Sequence, residues 1–241
     1  MDALDSGLVM KAKKNFWRAG LEITTTLAVL AAAVTVIASN INSRRVPTAK
    51  SQPLPQDPIP IHGSVIRGEL SAGVGLISYS DFECPFCARF AAETFPDLAQ
   101  TYLSTGRAFF VFKHAPMEGR HPAALRAAQI AECARDSGRF WQLHDILFEA
   151  ANARALGLVV EDPGKLGVTT EKLDECRSDP KALARVREDL AEARAVGVSG
   201  TPTFMIGVLD GSQRLMVRSI LVGAKPAAEF RAALDAVIGT R

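Results

Sequence analysis

The 241-residue sequence holds only four cysteines, four histidines and five methionines. Four cysteines are too few for a small disulfide-stapled scaffold. There is no His-x-x-His pair and no methionine-rich or histidine-rich tract. A metal site would therefore have to rest on cysteine, and zinc asks for two further ligands at close spacing. Charge is nearly balanced, 28 Lys and Arg against 26 Asp and Glu, a net of +2. Nothing in that total favours a nucleic-acid or acidic partner. No internal repeat is visible. Gly73-Val74-Gly75 precedes its strand rather than following it, which argues against a nucleotide-binding loop.

What is present centres on Asp81-Phe82-Glu83-Cys84-Pro85-Phe86-Cys87. The apolar run Val74–Tyr79 before it reads as a strand, and Pro85 suits the first position of a helix. Two thiols one turn apart at a helix start can reach bonding distance. The helix N-terminus favours a thiolate there. Cys84 is the candidate nucleophile at the more exposed end, and Cys87, one turn deeper, the candidate resolving thiol. Half of a zinc site is the alternative, but Cys133 and Cys176 are isolated.

The N-terminus carries Lys11, Lys13, Lys14 and Arg18 before an apolar run from about Leu21 to Ala38, interrupted by one charge, Glu22. About 18 residues is near the short limit for a bilayer span. Phe16 and Trp17 sit where an interfacial belt belongs, and the preceding basic residues orient the C-terminal side outward. We therefore expect residues 1–18 to be cytoplasmic and 19–38 to form a single transmembrane signal-anchor. Cleavage of a signal peptide near Val36-Ile37-Ala38, giving a secreted protein, is the alternative. Either outcome places the remainder where disulfides persist. Residues 39–62, with Pro47, Pro53, Pro55, Pro58 and Pro60, read as a semi-stiff linker.

The folded part is expected over residues 63–241. Gly63 to Glu69 contributes a short edge strand. A helix from Pro85 carries Phe86, Phe90, Phe95, Leu98 and Tyr102, with a kink at Pro96. Ala108-Phe109-Phe110-Val111-Phe112 reads as a central strand buried on both faces. Strand, helix, strand makes a right-handed crossover with parallel strands. Residues of about 121–196 read as a helical insert, with Asp179-Pro180 starting one helix. Then come Val198–Ile206 as a loop entering a strand, Asp210-Gly211 as a turn, Leu215–Val222 as its hairpin partner, and a closing helix from Pro226.

This order, with Asp81–Cys87, Phe140-Trp141 followed by His144-Asp145, and Gly197-Val198-Ser199-Gly200-Thr201-Pro202-Thr203-Phe204, resembles the DsbA-like thiol:disulfide oxidoreductases. The resemblance covers about Gly63 to Arg241. It implies an α/β, thioredoxin-like fold with an inserted all-helical domain behind the N-terminal membrane helix. It further implies a cis Thr201–Pro202 bond beside the dithiol, with Thr201 pairing its backbone to a substrate peptide. It implies a periplasmic catalytic domain with no cofactor or metal beyond the redox-active Cys84–Cys87 pair, exported cysteine-containing proteins as substrates, and a quinone-linked membrane protein as reoxidant. The dipeptide Pro85-Phe86 lacks the histidine of the strongly oxidising members. Oxidase, isomerase and reductase directions therefore all stay open. Rivals from other classes are a copper-binding Cys-x-x-Cys module and an inert adaptor with a permanently oxidised pair.

Other residues have two readings each. Cys133 and Cys176 are either buried free thiols or, outside the cytoplasm, a structural disulfide worth about 4 kcal/mol. Asp81 and Glu83 either carry protons for Cys87 or cap the turn. His114 and His121 either approach the dithiol from the loop after the second core strand or, as expected, take surface or capping roles, and His144 is expected in the core. Phe86 is a core residue or part of an apolar peptide-binding surface.

Overall fold

The computed structural model describes residues 53–240. The predicted anchor at 19–38, the segment before it and the linker up to residue 52 lie outside the described residues. Among the described residues, no helix is long and apolar enough to cross a membrane.

Six strands form one sheet: β1 Ile59–Pro60, β2 Val65–Arg67, β3 Val74–Ser80, β4 Phe109–His114, β5 Thr203–Leu209 and β6 Arg214–Val222. Their spatial order is β1-β6-β5-β3-β4-β2. β3 and β4 run parallel, joined by the helical run α1, residues 85–103. The other pairings are antiparallel. β3 and β4 are buried along their whole length, which is why each reads as a continuous apolar run rather than an alternating one.

Alternation instead divides the strand residues between two cores. Leu76, Phe110, Phe112, Phe204 and Ile206 pack with α1, the helical insert and the closing helix. Ile77, Tyr79, Phe109, Val111 and Met205 pack on the opposite face with Ile59, Ile61 and Ala193. Gly75 in β3 permits this closeness, since a Cβ there would run into the Phe109 ring.

The linker ends earlier than predicted at residue 62. Ile59 and Pro60 pair with Leu215 and Arg214, and Ile59 and Ile61 are fully buried. Two isoleucines flanking one proline are enough to seat a strand, although the prolines around them mask the signal.

Within α1, the Phe95 N–H reaches back five residues to the Phe90 carbonyl. Ser104 does the same to Ala99. These wider turns bracket Pro96, whose ring cannot donate to a regular ladder. The run is thus widened rather than broken. The insert comprises α2 Ala124–Arg135, α3 Phe140–Asn152, α4 Leu156–Val159, α5 Pro163–Leu166, α6 Thr170–Ser178 and α7 Pro180–Ala195. Asp179 caps α7 by accepting from the Lys181 N–H at 2.8 Å. The closing helix is α8, Ala227–Gly239.

Candidate active site

The dithiol sits where β3 ends and α1 begins. Cys84 has extended backbone at the cap position, and Pro85 is the first helical residue. Both thiols are free. Cys84 is 4% exposed and Cys87 1%, so the difference in access is slight. The exposed residues are the pair between them, with Phe86 at 52%. The Arg89 guanidinium lies 5.2 Å from the Phe86 ring centre.

The electrostatic difference between the sulfurs is large. The Cys84 thiol is lowered to about 6. Its largest cause is the hydrogen bond from Cys87; burial opposes it, and the Thr201 side chain and the N–H groups of Cys87 and Phe86 reinforce it. Cys87 is raised well above the ordinary thiol, first by burial and then by the neighbouring Cys84. The Ser80 hydroxyl and the Asp81 N–H partly counter that rise. Ser80 is the site residue that the sequence reading missed. It lies one position before the motif, at the buried end of β3.

The loop 198–202 closes the other side. Thr201–Pro202 is a cis peptide bond. The Cys84 thiol donates to the Thr201 carbonyl at 3.3 Å. The Thr201 hydroxyl points at the Met117 sulfur, 3.6 Å away. Gly223 donates its N–H to the Pro202 carbonyl at 2.8 Å, which ties the loop to the end of β6.

The two acids tie neighbouring segments together. The Asp81 carboxylate is fully buried. It accepts from the N–H groups of Glu83 and Met117, each at 2.8 Å, and meets His121 Nδ1 at 2.7 Å. Glu83 accepts from the Ala123 N–H at 2.6 Å. The two carboxylates stitch the start of α1 to the segment 117–123, while the hydrogen bonds to Cys87 come from Ser80 and the Asp81 main chain. The structure therefore gives the Asp81 and Glu83 carboxylates the capping and positioning role that was one of their two readings. His121 is a partner of this network and not a surface residue.

His114 is also buried rather than exposed. It meets Glu132 at 3.2 Å, and Arg185 donates to the same carboxylate at 2.8 Å. His144 lies in the aromatic core as expected. Burial lowers its imidazole below the usual range against the opposing Asp145. Phe82, two residues before Cys84, enters the same core at 4.8 Å from the Phe148 ring and 5.3 Å from Phe112. The dithiol loop is thereby fastened to the insert. Cys133 and Cys176 form a disulfide joining α2 to α6.

This arrangement can exchange disulfides. It offers one sulfur that ionises near neutrality, a second kept protonated beneath it, and a main-chain carbonyl at the first.

Comparison with known proteins places these features in context. A family model described as Thioredoxin matches residues 61–215. Na(+)/H(+) antiporter NhaA 3 of Salinispora tropica is 32% identical over 153 residues, 64% of this chain and 22% of the antiporter. The chain thus spans about a fifth of the length of the curated relatives it matches. Wolbachia pipientis alpha-DsbA1 shares the fold, with a TM-score of 0.65 over 76% of this chain and 94% of that chain at 21% identity. Pseudomonas aeruginosa DsbA2 gives 0.56 over 70% of this chain and 91% of that chain at 26% identity.

Proposed function

The chain belongs to the thioredoxin family as a DsbA-like oxidoreductase, and from that premise we propose that it introduces disulfides into exported proteins through Cys84 and Cys87. The observation that carries this reading is the divergence of the two thiols: Cys84 lowered to about 6 and Cys87 raised.

In the oxidised form, a substrate thiolate attacks Cys84 Sγ. The Cys84–Cys87 bond breaks, and Cys87 leaves with the electron pair and takes up a proton. The second substrate thiolate then attacks the substrate sulfur of the mixed disulfide, and Cys84 leaves as thiolate. Two electrons pass from the substrate dithiol to the enzyme pair, and a disulfide remains in the substrate. A low thiol pKa makes Cys84 the better leaving group, which drives this second step forward. Stabilising the Cys84 thiolate also stabilises the reduced enzyme, which is the property of an oxidant.

A Cys84 value of about 6 falls between about 7 for thioredoxin and about 3.5 for strongly oxidising members. The potential is accordingly expected between about −270 and −120 mV. Isomerase or reductase is the second reading, since Pro85-Phe86 lacks the histidine of the strongly oxidising members. Residues 19–38 would hold the domain on the outer side of the membrane, and the Cys133–Cys176 disulfide supports an oxidising compartment. A quinone-linked membrane protein would reset the pair.

The test compares Cys84→Ser and Cys87→Ser with the native chain on a reduced, unfolded cysteine-containing protein, with oxidised glutathione present as the two-electron oxidant. Cys84→Ser is expected to abolish turnover and Cys87→Ser to accumulate mixed disulfides. Undiminished turnover in Cys84→Ser overturns the mechanism.

A further inference from the structure

A groove of about 360 Å³ opens directly beside Thr201, the residue whose carbonyl meets Cys84. One wall is the segment 115–120 that follows β4. The other is the end of α7 with the loop 198–201. Its floor is apolar, with Ala115, Leu190 and Ala193 all buried.

The rim is charged, and the charges are unequal in availability. Glu118 is already engaged by Arg187 in a two-pronged ion pair. Arg120 and Arg194 line the same groove, are exposed, and among the described residues their guanidinium groups have no ion pair or hydrogen bond. The nearby Asp81 and Glu83 are no partners for them, since their carboxylates are held by His121 and by main-chain N–H groups. Two free forks therefore flank an apolar trough whose inner end is the reactive sulfur's own neighbour. Guanidinium forks match carboxylates in geometry as well as charge. The near-neutral total charge of the chain conceals this local excess.

We propose that this groove takes an acidic segment of a cysteine-containing polypeptide, with Arg120 and Arg194 reading carboxylates close in sequence to the reacting cysteine. The inference rests on the thiol-exchange reading above and specifies its substrates. An apolar residue of the same segment would lie on Leu190 and Ala193. The preference is electrostatic and exposed to solvent, so salt weakens it.

The test uses the oxidised full chain and three peptides of one sequence, each with a single cysteine flanked by Asp, Ser or Lys. The rate of mixed-disulfide formation is measured for each, and the readout is the Asp-to-Lys rate ratio within one protein. Two exposed ion pairs predict a ratio of about tenfold at low salt, collapsing toward unity in concentrated salt. Arg120→Gln with Arg194→Gln is expected to remove the preference, Arg120→Glu with Arg194→Glu to invert it, and the two Lys replacements to retain most of it. Equal rates for the Asp and Lys peptides in the native chain, or an unchanged ratio in the charge-reversed chain, overturn the groove assignment while leaving thiol exchange intact. If none of the three peptides forms a mixed disulfide with the native chain, the redox reading itself falls, and this inference with it.

Discussion

The Cys84 sulfur lies 3.3 Å from the carbonyl oxygen of Thr201, across 117 residues of sequence. The contact places the proposed nucleophile at the mouth of the loop that would also receive the substrate. In the protonated state the thiol donates to that carbonyl. On ionisation that bond is lost, and the thiolate depends on Cys87, the Thr201 hydroxyl and two helix N–H groups.

Alkylation of the reduced protein should therefore follow Cys84 ionisation, with a midpoint near pH 6. The sign for stability follows the same shift. A thiol lowered on folding stabilises the reduced protein increasingly as pH rises from about 6 toward the ordinary thiol range. That gain is lost as pH falls through 6. Because the Cys87 hydrogen bond is the largest cause, Cys87→Ala should move the alkylation midpoint upward. A midpoint that stays near 6 in that variant would contradict the assignment.

Thr201→Val keeps the shape of the side chain and removes the hydroxyl. Its expected effect is a higher alkylation midpoint for Cys84 and a more reducing potential, with little change in melting temperature. Redox equilibration against glutathione and a thermal scan of the same sample separate these effects.

Ser80 bears on the other sulfur. Its hydroxyl favours the Cys87 thiolate, which in the proposed mechanism forms transiently when the enzyme disulfide is opened. Ser80→Ala should slow formation of the mixed disulfide by about tenfold, taking about 1.5 kcal/mol for a hydrogen bond to a charged group. The rate of the second step, release from Cys84, should be unchanged. Pre-steady-state mixing resolves the two.

The Cys133–Cys176 bond closes a loop with a sequence separation of 43. Replacing both residues with Ala should lower stability by about 4 kcal/mol, or less if the unfolded chain keeps structure. The alkylation midpoint of Cys84 should not move. Urea unfolding with and without the bond measures the first effect.

Glu132 provides an acid-sensitive group outside the dithiol. Burial works against its charge, but the hydrogen bond and charge of His114, with Arg135 and Arg185, lower it to about 2. A carboxyl lowered on folding contributes stability above its unfolded value and loses it as pH falls through the folded one. A contribution of about 3 kcal/mol should thus disappear between about pH 4.5 and 2. Glu132→Gln should flatten acid unfolding over that window.

The dithiol and the Thr201-Pro202 loop were readable because their chemistry lies in residue types at fixed short spacing. The same holds for α7, whose start is written in Asp179-Pro180. The parts left open or misread depend on distant neighbours. Nothing local says that Asp81 will meet Met117 and His121, 36 and 40 residues on. Nothing local says that His114 will be buried against Glu132 either. Ser80 resembles any strand-end serine until Cys87 is folded over it. Arg120 and Arg194 are ordinary surface cations until tertiary structure sets them on one groove. The start of the domain at Ile59 was hidden by prolines, which describe a linker equally well.

The sheet's two outer strands are two and three residues long, and Pro60 has no N–H to offer. Long bare edges invite other chains to pair with them. A protein with the proposed function would meet such chains constantly. Having almost no edge to share among its described residues, it would then release each client without becoming the template on which it aggregates.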